Sequence, residues 1–413
     1  LAKCLREACE RAFMKKQKKV RSVPTDQQAI DSADALDPKV KLAEPLSGQR
    51  QKDEVDERYS LRNVHKWISP RMVYIGKQIQ NVVEAMLDDK PALQQQLMEC
   101  LGKHKTFPDE VQLAVDALRL QVRDLLVRNK LDTMAEQCSV EPVDTQDYQT
   151  VIRAELSTYW AQCVEDPAAG VSKWLMEGAP AGISCDTTEL DGICPKVDDE
   201  PESFMDLTTD YNTFVNYTGV EENEEAYQAL TSYADKGYLR VFDSLSELEQ
   251  HVGAKPTLSK LGCIVKQKIN HETGTVTTKT RIILDCKRSL VSKVARRTHK
   301  SVLPRVSDAI QSTLAMQSDC RQGDSVTFLV ADVVDAFWLV PLNIAERKFF
   351  CAKLRGKFYC FHRTAQGSRA APLTFAAVIA LASRWVQSIV STPLHRGMHT
   401  EEARVQTYVD DPL

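Results

Sequence analysis

The chain has no run of about 18 consecutive apolar residues, so it is expected to lack a membrane span. It shows no secretory signal, although it begins at Leu1 rather than Met, and no targeting argument rests on that end. Its 12 cysteines lack metal spacing. The nearest pairs are Cys4/Cys9, Cys185/Cys194 and Cys351/Cys360, and none has the spacing of a zinc finger or ribbon. They read as reduced thiols of an intracellular protein, in cytoplasm or nucleus. Hydrophobic residues make up 43% and charged residues 27%, which is ordinary for a globular chain, and 413 residues allow two or three domains.

The net charge of −4 hides an asymmetry. Residues 251–413 hold 24 Lys+Arg against 12 Asp+Glu, or +12, and residues 1–250 hold 29 against 45, or −16. A split of this kind suggests an acidic N-terminal part and a nucleic-acid-facing C-terminal part.

Periodicity divides the chain further. Residues 1–60 read as one amphipathic helix followed by a polar, proline-interrupted linker of disordered composition. Residues 61–165 read as a helical domain of unknown role. There "PDEVQLAVDALRLQVRDLLV" opens with Pro108 and two acids, a helix-start signal. Residues 166–250 read as an acidic connector with short helices, ending in helix, short strand, helix. From 251 on, the texture turns β-rich. "KLGCIVKQKI" and "VTTKTRIILD" flank a Gly-containing turn and predict a hairpin. "SVTFLVADVV" (325–334) predicts a strand. "KFFCAKL" and "FYCFHR" around "RGK" predict a second hairpin, "AAPLTFAAVIALASRWVQSIV" a long helix opened by Pro372, and "ARVQTYV" a last short strand. The order is α+β.

Two carboxylate pairs end β-rich runs: Asp332 with Asp335, and Asp410 with Asp411. A strand-ending Asp is commonly a turn residue or helix cap, so neither pair alone makes a site. Together they admit a second reading. Neighbouring strands would bring the carboxylates to one sheet edge, where their mutual repulsion calls for cations. Oxygen donors suit Mg2+ or Mn2+. Residues 251–300 hold 12 Lys+Arg against Glu272 and Asp285. On the hairpin, Lys266 and Lys268 share one strand face, as do Lys279 and Arg281. Such a face suits a triphosphate or a nucleic-acid backbone, and also a lysine-protected edge strand.

"ADVVDAFWLVPL", "RTAQGSRAAPLTFA" and "YVDD", in that order, resemble the three central palm motifs of reverse transcriptases of retroviruses and related retrotransposons. The hairpin "KLGCIVKQKINHETGTVTTKTRIILDCKRS" with "VLPRVSDA" resembles their fingers. The likeness covers residues 255–413. It implies a partial right-hand polymerase fold, with fingers and an incomplete palm at 251–413, behind a mainly helical N-terminal region. It also implies RNA-directed DNA polymerase activity of a Pol polyprotein, with an RNA template, a DNA primer, dNTPs and two Mg2+ ions (or Mn2+), and no membrane.

By the same resemblance Asp332 and Asp410 would be the metal-binding aspartates, helped by the Val333 carbonyl, with Asp411 as supporting carboxylate and Tyr408 near the primer end. Asp335, Ala336 and Phe337 would lie under the incoming nucleotide. Phe337 matches the steric gate that leaves no room for a 2′-OH, which argues against an RNA-templated RNA polymerase. Gln366 and Gly367 would border the nucleotide and template base, with Arg369 nearby and Pro372 starting the helix behind. Arg281 matches the fingers arginine, and Lys266 and Lys268 would be phosphate contacts. Motif B reads "SRAA" where many relatives carry glycine. The returning palm strand, thumb and RNase H or integrase regions are expected beyond residue 413, so the fragment alone is expected to be inactive. No aspartic-protease triplet or Cys/His knuckle occurs upstream. The alternative is a non-catalytic nucleic-acid-binding remnant of a polyprotein.

Overall fold

The computed structural model describes residues 64–103, 108–131, 150, 152–187, 190, 193–197, 207, 209–269, 276–320, 325–330, 333–393, 399–401, 403–408 and 411–412. The helix and linker expected over 1–60 lie outside the described residues, as do the connector acids at 198–202.

A single helical turn at Val64–Trp67 leads into α1 (Pro70–Asp89), α2 (Pro91–Lys103) and α3 (Asp109–Leu131), followed by α4 (Ala154–Cys163) and α5 (Ala169–Glu177). Helix α1 starts where the sequence says it should. Ser69 is extended, its Oγ accepts from Met72 N at 3.1 Å, and Pro70 follows with no amide to leave unpaired. Then come α6 (Glu224–Asp235), β1 (Leu239–Phe242) and α7 (Leu245–Val252), the expected helix–strand–helix. The hairpin β2 (Lys260–Ile269) and β3 (Val276–Asp285) follows, with α8 (Val291–Val294), α9 (Val306–Asp319) and short 3-10 turns at Ala336–Leu339 and Ile344–Phe349. Strands β4 (Cys351–Leu354) and β5 (Lys357–Phe361) precede the long α10 (Ala371–Ile389). The end of the chain forms β6 (Ser391–Pro393), β7 (His399–Glu401), β8 (Thr407–Tyr408) and β9 (Asp411–Pro412).

Strand order β1–β5–β4 makes an antiparallel sheet. The β4–β5 connection is the two residues Arg355 and Gly356, both with positive φ (49° and 74°). That backbone matches the right-handed twist of the flanking strands, and glycine adopts it without strain. Central β5 is buried on both faces after Lys357.

Helix α10 organises the rest. Its apolar positions face three clusters, the smallest formed by Ala376 and Ala380 with Leu303. Leu381 joins α1, α3 and α4, where Trp160 stacks on Trp385 at 5.5 Å. Phe375, Ala377 and Val378 join α5 and the 336–340 turn. A helix apolar all round is a buried helix. Among the described residues it is the one helix long and apolar enough to cross a membrane, with mean hydropathy 1.2 over a stretch that is 61% buried inside the protein. Its buried Arg384, Gln387 and Ser383 side chains are engaged. Arg384 pairs with Asp166, Gln387 reaches the backbone at Ala403 and Val405, and Ser383 meets Thr407.

A buried carboxylate fastens the connector. Glu346 accepts amide protons from Ala181, from Ile183 and Ser184 at 2.7 Å each, and from Cys185 at 3.1 Å. Four main-chain donors are satisfied by one side chain 165 residues or fewer away in sequence.

Two strand expectations are corrected. Residues 325–330 form no strand, and Phe328, Leu329 and Val330 are 63%, 56% and 57% exposed in succession. Their β-branched and aromatic content scores local preference, but a strand exists only where a neighbour takes its backbone hydrogen bonds and one face is covered. The last strand is also shorter than expected. Residues 403–406 are not paired as a strand, because Gln387 takes their backbone: its Oε1 accepts from Val405 N at 2.8 Å and its Nε2 donates to Ala403 O at 2.9 Å. Past it, β8 and β9 form a two-residue antiparallel ladder.

Candidate active site

A cavity of about 310 Å3 opens where the β2–β3 hairpin meets the loop before α10. Ile264, Arg281 and Ile283 line it from the hairpin, Phe337 from the 3-10 turn, and Gln366, Gly367, Ser368, Ala371 and Pro372 from the loop and helix start. Four site residues nominated from the sequence, Arg281, Phe337, Gln366 and Gly367, are thus brought together, with Pro372 behind them.

The hairpin register explains the Arg281 side. Ile264 lies opposite Arg281, Lys266 opposite Lys279, and Lys268 opposite Thr277. Residues directly opposite share a face, and so do alternate residues along a strand. Positions 266, 268 and 279 therefore belong to the same face as Ile264 and Arg281, although the side chains of these lysines lie outside the described residues. Arg281 itself is exposed.

The floor is a backbone junction. Leu284 N donates to Gln366 O at 2.9 Å, which ties β3 to the loop. Gly367 has φ +103°, and a Cβ there would stand 2.2 Å from Leu284 O. Only glycine accepts both the conformation and the approach. Ser368 then caps the helix start, its Oγ accepting from Ala371 N at 3.1 Å.

Phe337 is held from two sides. Its carbonyl accepts the Thr364 hydroxyl at 2.6 Å, and its ring meets Phe375 of α10 edge-on at 5.9 Å. Ala336 is buried beside it, facing the α5/α10 core rather than the cavity. Asp335 also stands outside the cavity lining. It takes a left-handed backbone (φ 57°), and its Oδ2 accepts from Lys236 Nζ at 2.6 Å and Tyr238 OH at 3.1 Å. Burial, and then the Asp335 carboxylate, push the Tyr238 phenol up to about 12. Tyr238 in turn stacks on Trp338 at 5.7 Å. Sequence reasoning placed Lys236 and Tyr238 in the connector. Nothing in their local pattern signals a partner almost a hundred residues away. Arg369 turns away from the cavity as well. Its Nη1 donates to Ser292 O at 3.3 Å and Ala295 O at 3.1 Å, beside a smaller cavity of about 30 Å3.

The aspartates nominated as metal ligands fall largely outside the description. Asp332 and Asp410 are not among the described residues. Asp411 is described only as backbone in β9, and Tyr408 only as backbone in β8. Val333 packs against the α5/α10 core. The β8–β9 register pairs Thr407 with Pro412 and Tyr408 with Asp411. Three side chains fix this hairpin's base: Ser383 to Thr407 at 2.6 Å, Gln387 to the 403–405 backbone, and Ser312 of α9 accepting from Gln406 Nε2 at 3.0 Å. None of these anchors was singled out from the sequence, because polar residues inside an apolar helix read as interruptions rather than contacts. No protein-family model matches the chain, and no curated protein matches it.

Proposed function

We propose that the chain carries the fingers and palm portion of a retroelement RNA-directed DNA polymerase, which joins a dNTP to a primer 3′-OH with release of pyrophosphate. The observation that supports this reading is the convergence of Arg281, Phe337, Gln366 and Gly367, nominated separately from three motifs, on one cavity of about 310 Å3. That size suits a small-molecule ligand such as a nucleotide.

In this reading Arg281 holds phosphate with a planar, permanently charged fork. Gln366 and Gly367 form a floor kept in place by the Leu284–Gln366 bond. The Phe337 ring, wedged on Phe375, fills the space a ribose 2′-OH would need. Asp332, Asp410 and the Val333 carbonyl, with Asp411 in support, are oxygen donors, a set that fits Mg2+ or Mn2+. When bound there, a pair of such ions supplies charge stabilisation at the attacking and leaving oxygens.

The test is RNA-templated extension of a DNA primer with dNTPs by this chain within the full-length protein. Asp332→Asn and Asp410→Asn are each expected to lose at least roughly 10²–10³-fold in extension rate, with RNA binding unchanged. Full extension by Asp410→Asn would overturn the assignment. RNA binding without extension by the unmodified protein would point instead to a non-catalytic remnant. A Phe337→Ala variant is expected to narrow the preference for dNTPs over rNTPs by roughly 10–100-fold, read from kcat/KM for the two nucleotide classes.

A further inference from the structure

A second group of chemically active side chains lies away from the cavity, where β5 leaves the sheet. His251 stands in the last turn of α7, and its Nε2 is 3.2 Å from Nε2 of His362. The two rings are nearly parallel, 15° apart, with centroids 5.3 Å apart. The Cys360 sulfur completes a set of three ligand atoms that all lie within 4.8 Å of one another. Cys360 and His362 are alternate residues of one extended segment, so they project to the same side. Cys351 stands directly across the ladder from Cys360, and both thiols donate to the Arg347 carbonyl, at 3.4 Å and 3.9 Å.

The surroundings are apolar. Phe242, Leu248, Leu258 and Phe358 form one cluster with Cys351 and Cys360, and the Phe242 ring lies 5.0 Å from His251. Both cysteines are fully buried and His362 is 7% exposed. Two imidazoles facing each other beside an apolar wall are costly unless something binds them together. A single N–H···N bond between the rings is one way. A metal ion is the other, and the spacing matches it. Two Zn–N bonds of about 2.0–2.1 Å at the tetrahedral angle put the nitrogens about 3.3 Å apart.

We propose that His251, Cys360 and His362 hold a Zn2+ ion that clamps the end of α7 to the β1–β5–β4 sheet. Thiolate and imidazole donors select zinc over magnesium, so this site is chemically separate from the carboxylates of the candidate active site. It does not depend on the polymerase reading. Cysteine spacing does not reveal it, because its ligands come from a helix and the end of β5, 111 residues apart at the extreme, rather than from one short loop.

The experiment uses the purified chain. Elemental analysis is expected to find about one zinc per chain. Replacing zinc by Co2+ is expected to give the strong visible bands of a tetrahedral site and a thiolate-to-metal charge-transfer band in the near ultraviolet. Chelation is expected to lower the melting temperature of the unmodified protein but not of His251→Ala, which should retain its far-ultraviolet circular dichroism and lose the metal. His251 is only half-buried, so this variant spares the core. Cys360→Ser is expected to remove the charge-transfer band. Three results would overturn the site: a Co2+-loaded chain without that band, full zinc in His251→Ala, or a Cys351–Cys360 disulfide in protein prepared without oxidant. Should a variant fail to fold, the cobalt spectrum of the unmodified chain decides alone.

Discussion

A Gly367→Ala variant is expected to melt well below the unmodified protein and, in the full-length polymerase of the proposed function, to lose primer extension, whereas Gly356→Ala keeps extension and loses only the stability its backbone strain costs. Both glycines have positive φ, +103° and +74°, so both substitutions carry backbone strain of about 1–3 kcal/mol. They differ in surroundings. A Cβ at 356 meets nothing within 4 Å, while at 367 it would meet Leu284 O at 2.2 Å and Ile283 Cγ2 at 3.0 Å. Relief at 367 requires the loop to move off β3, which breaks the Leu284–Gln366 bond and shifts the wall that carries Arg281. A displacement of about 1 Å at a reacting centre is enough for roughly a 10²-fold loss of rate. Thermal melts and extension assays on the two variants check this. Equal behaviour of the two would show that the junction does not set the cavity.

That junction also marks how far the sequence could be read. The hairpins at 260–285 and 351–361 and the helix at 371–389 are legible because each is a local pattern: β-branched alternation, a turn with Gly356, and Pro372 ahead of an apolar run. The cavity is legible for a different reason, since its residues belong to motifs whose order resembles a known arrangement. The contacts that hold these pieces in place have no such signature. Lys236 on Asp335, Glu346 on residues 181–185, Gln387 on 403–405 and the His251–Cys360–His362 group join segments far apart in sequence. A polar side chain shows no periodicity toward a partner it meets only after folding. The exposed 325–330 segment is the converse case, with strong strand preference and no strand, because preference does not supply a neighbour.

Breaking the buried pair under α10 is expected to have the largest effect on stability. Arg384 Nε and Nη2 each lie 2.8 Å from one oxygen of Asp166, and both side chains are fully buried. Asp166 Oδ1 also accepts from Ala168 N at 2.7 Å, which fixes the start of α5. Arg384→Met leaves that carboxylate buried without its cation, at a cost of about 3–5 kcal/mol. The double variant Asp166→Asn/Arg384→Met removes both charges and keeps an acceptor for Ala168 N, so much of the loss is expected to return. Urea unfolding of the two single variants and the double variant measures the coupling. Single variants costing less than about 1 kcal/mol would show that the pair contributes no more than an exposed one. The same substitution reaches the site, because α10 carries Phe375 against Phe337 at one end and Ser383 and Gln387 against the β8 hairpin at the other. From Phe375 to Ser383 the helix spans about 12 Å at 1.5 Å per residue. A helix loosened at Arg384 therefore loosens the Phe337 ring and the 403–407 segment together. In the full-length polymerase of the proposed function, primer extension should fall in Arg384→Met under conditions where the protein is still folded, and it should recover in the double variant along with stability.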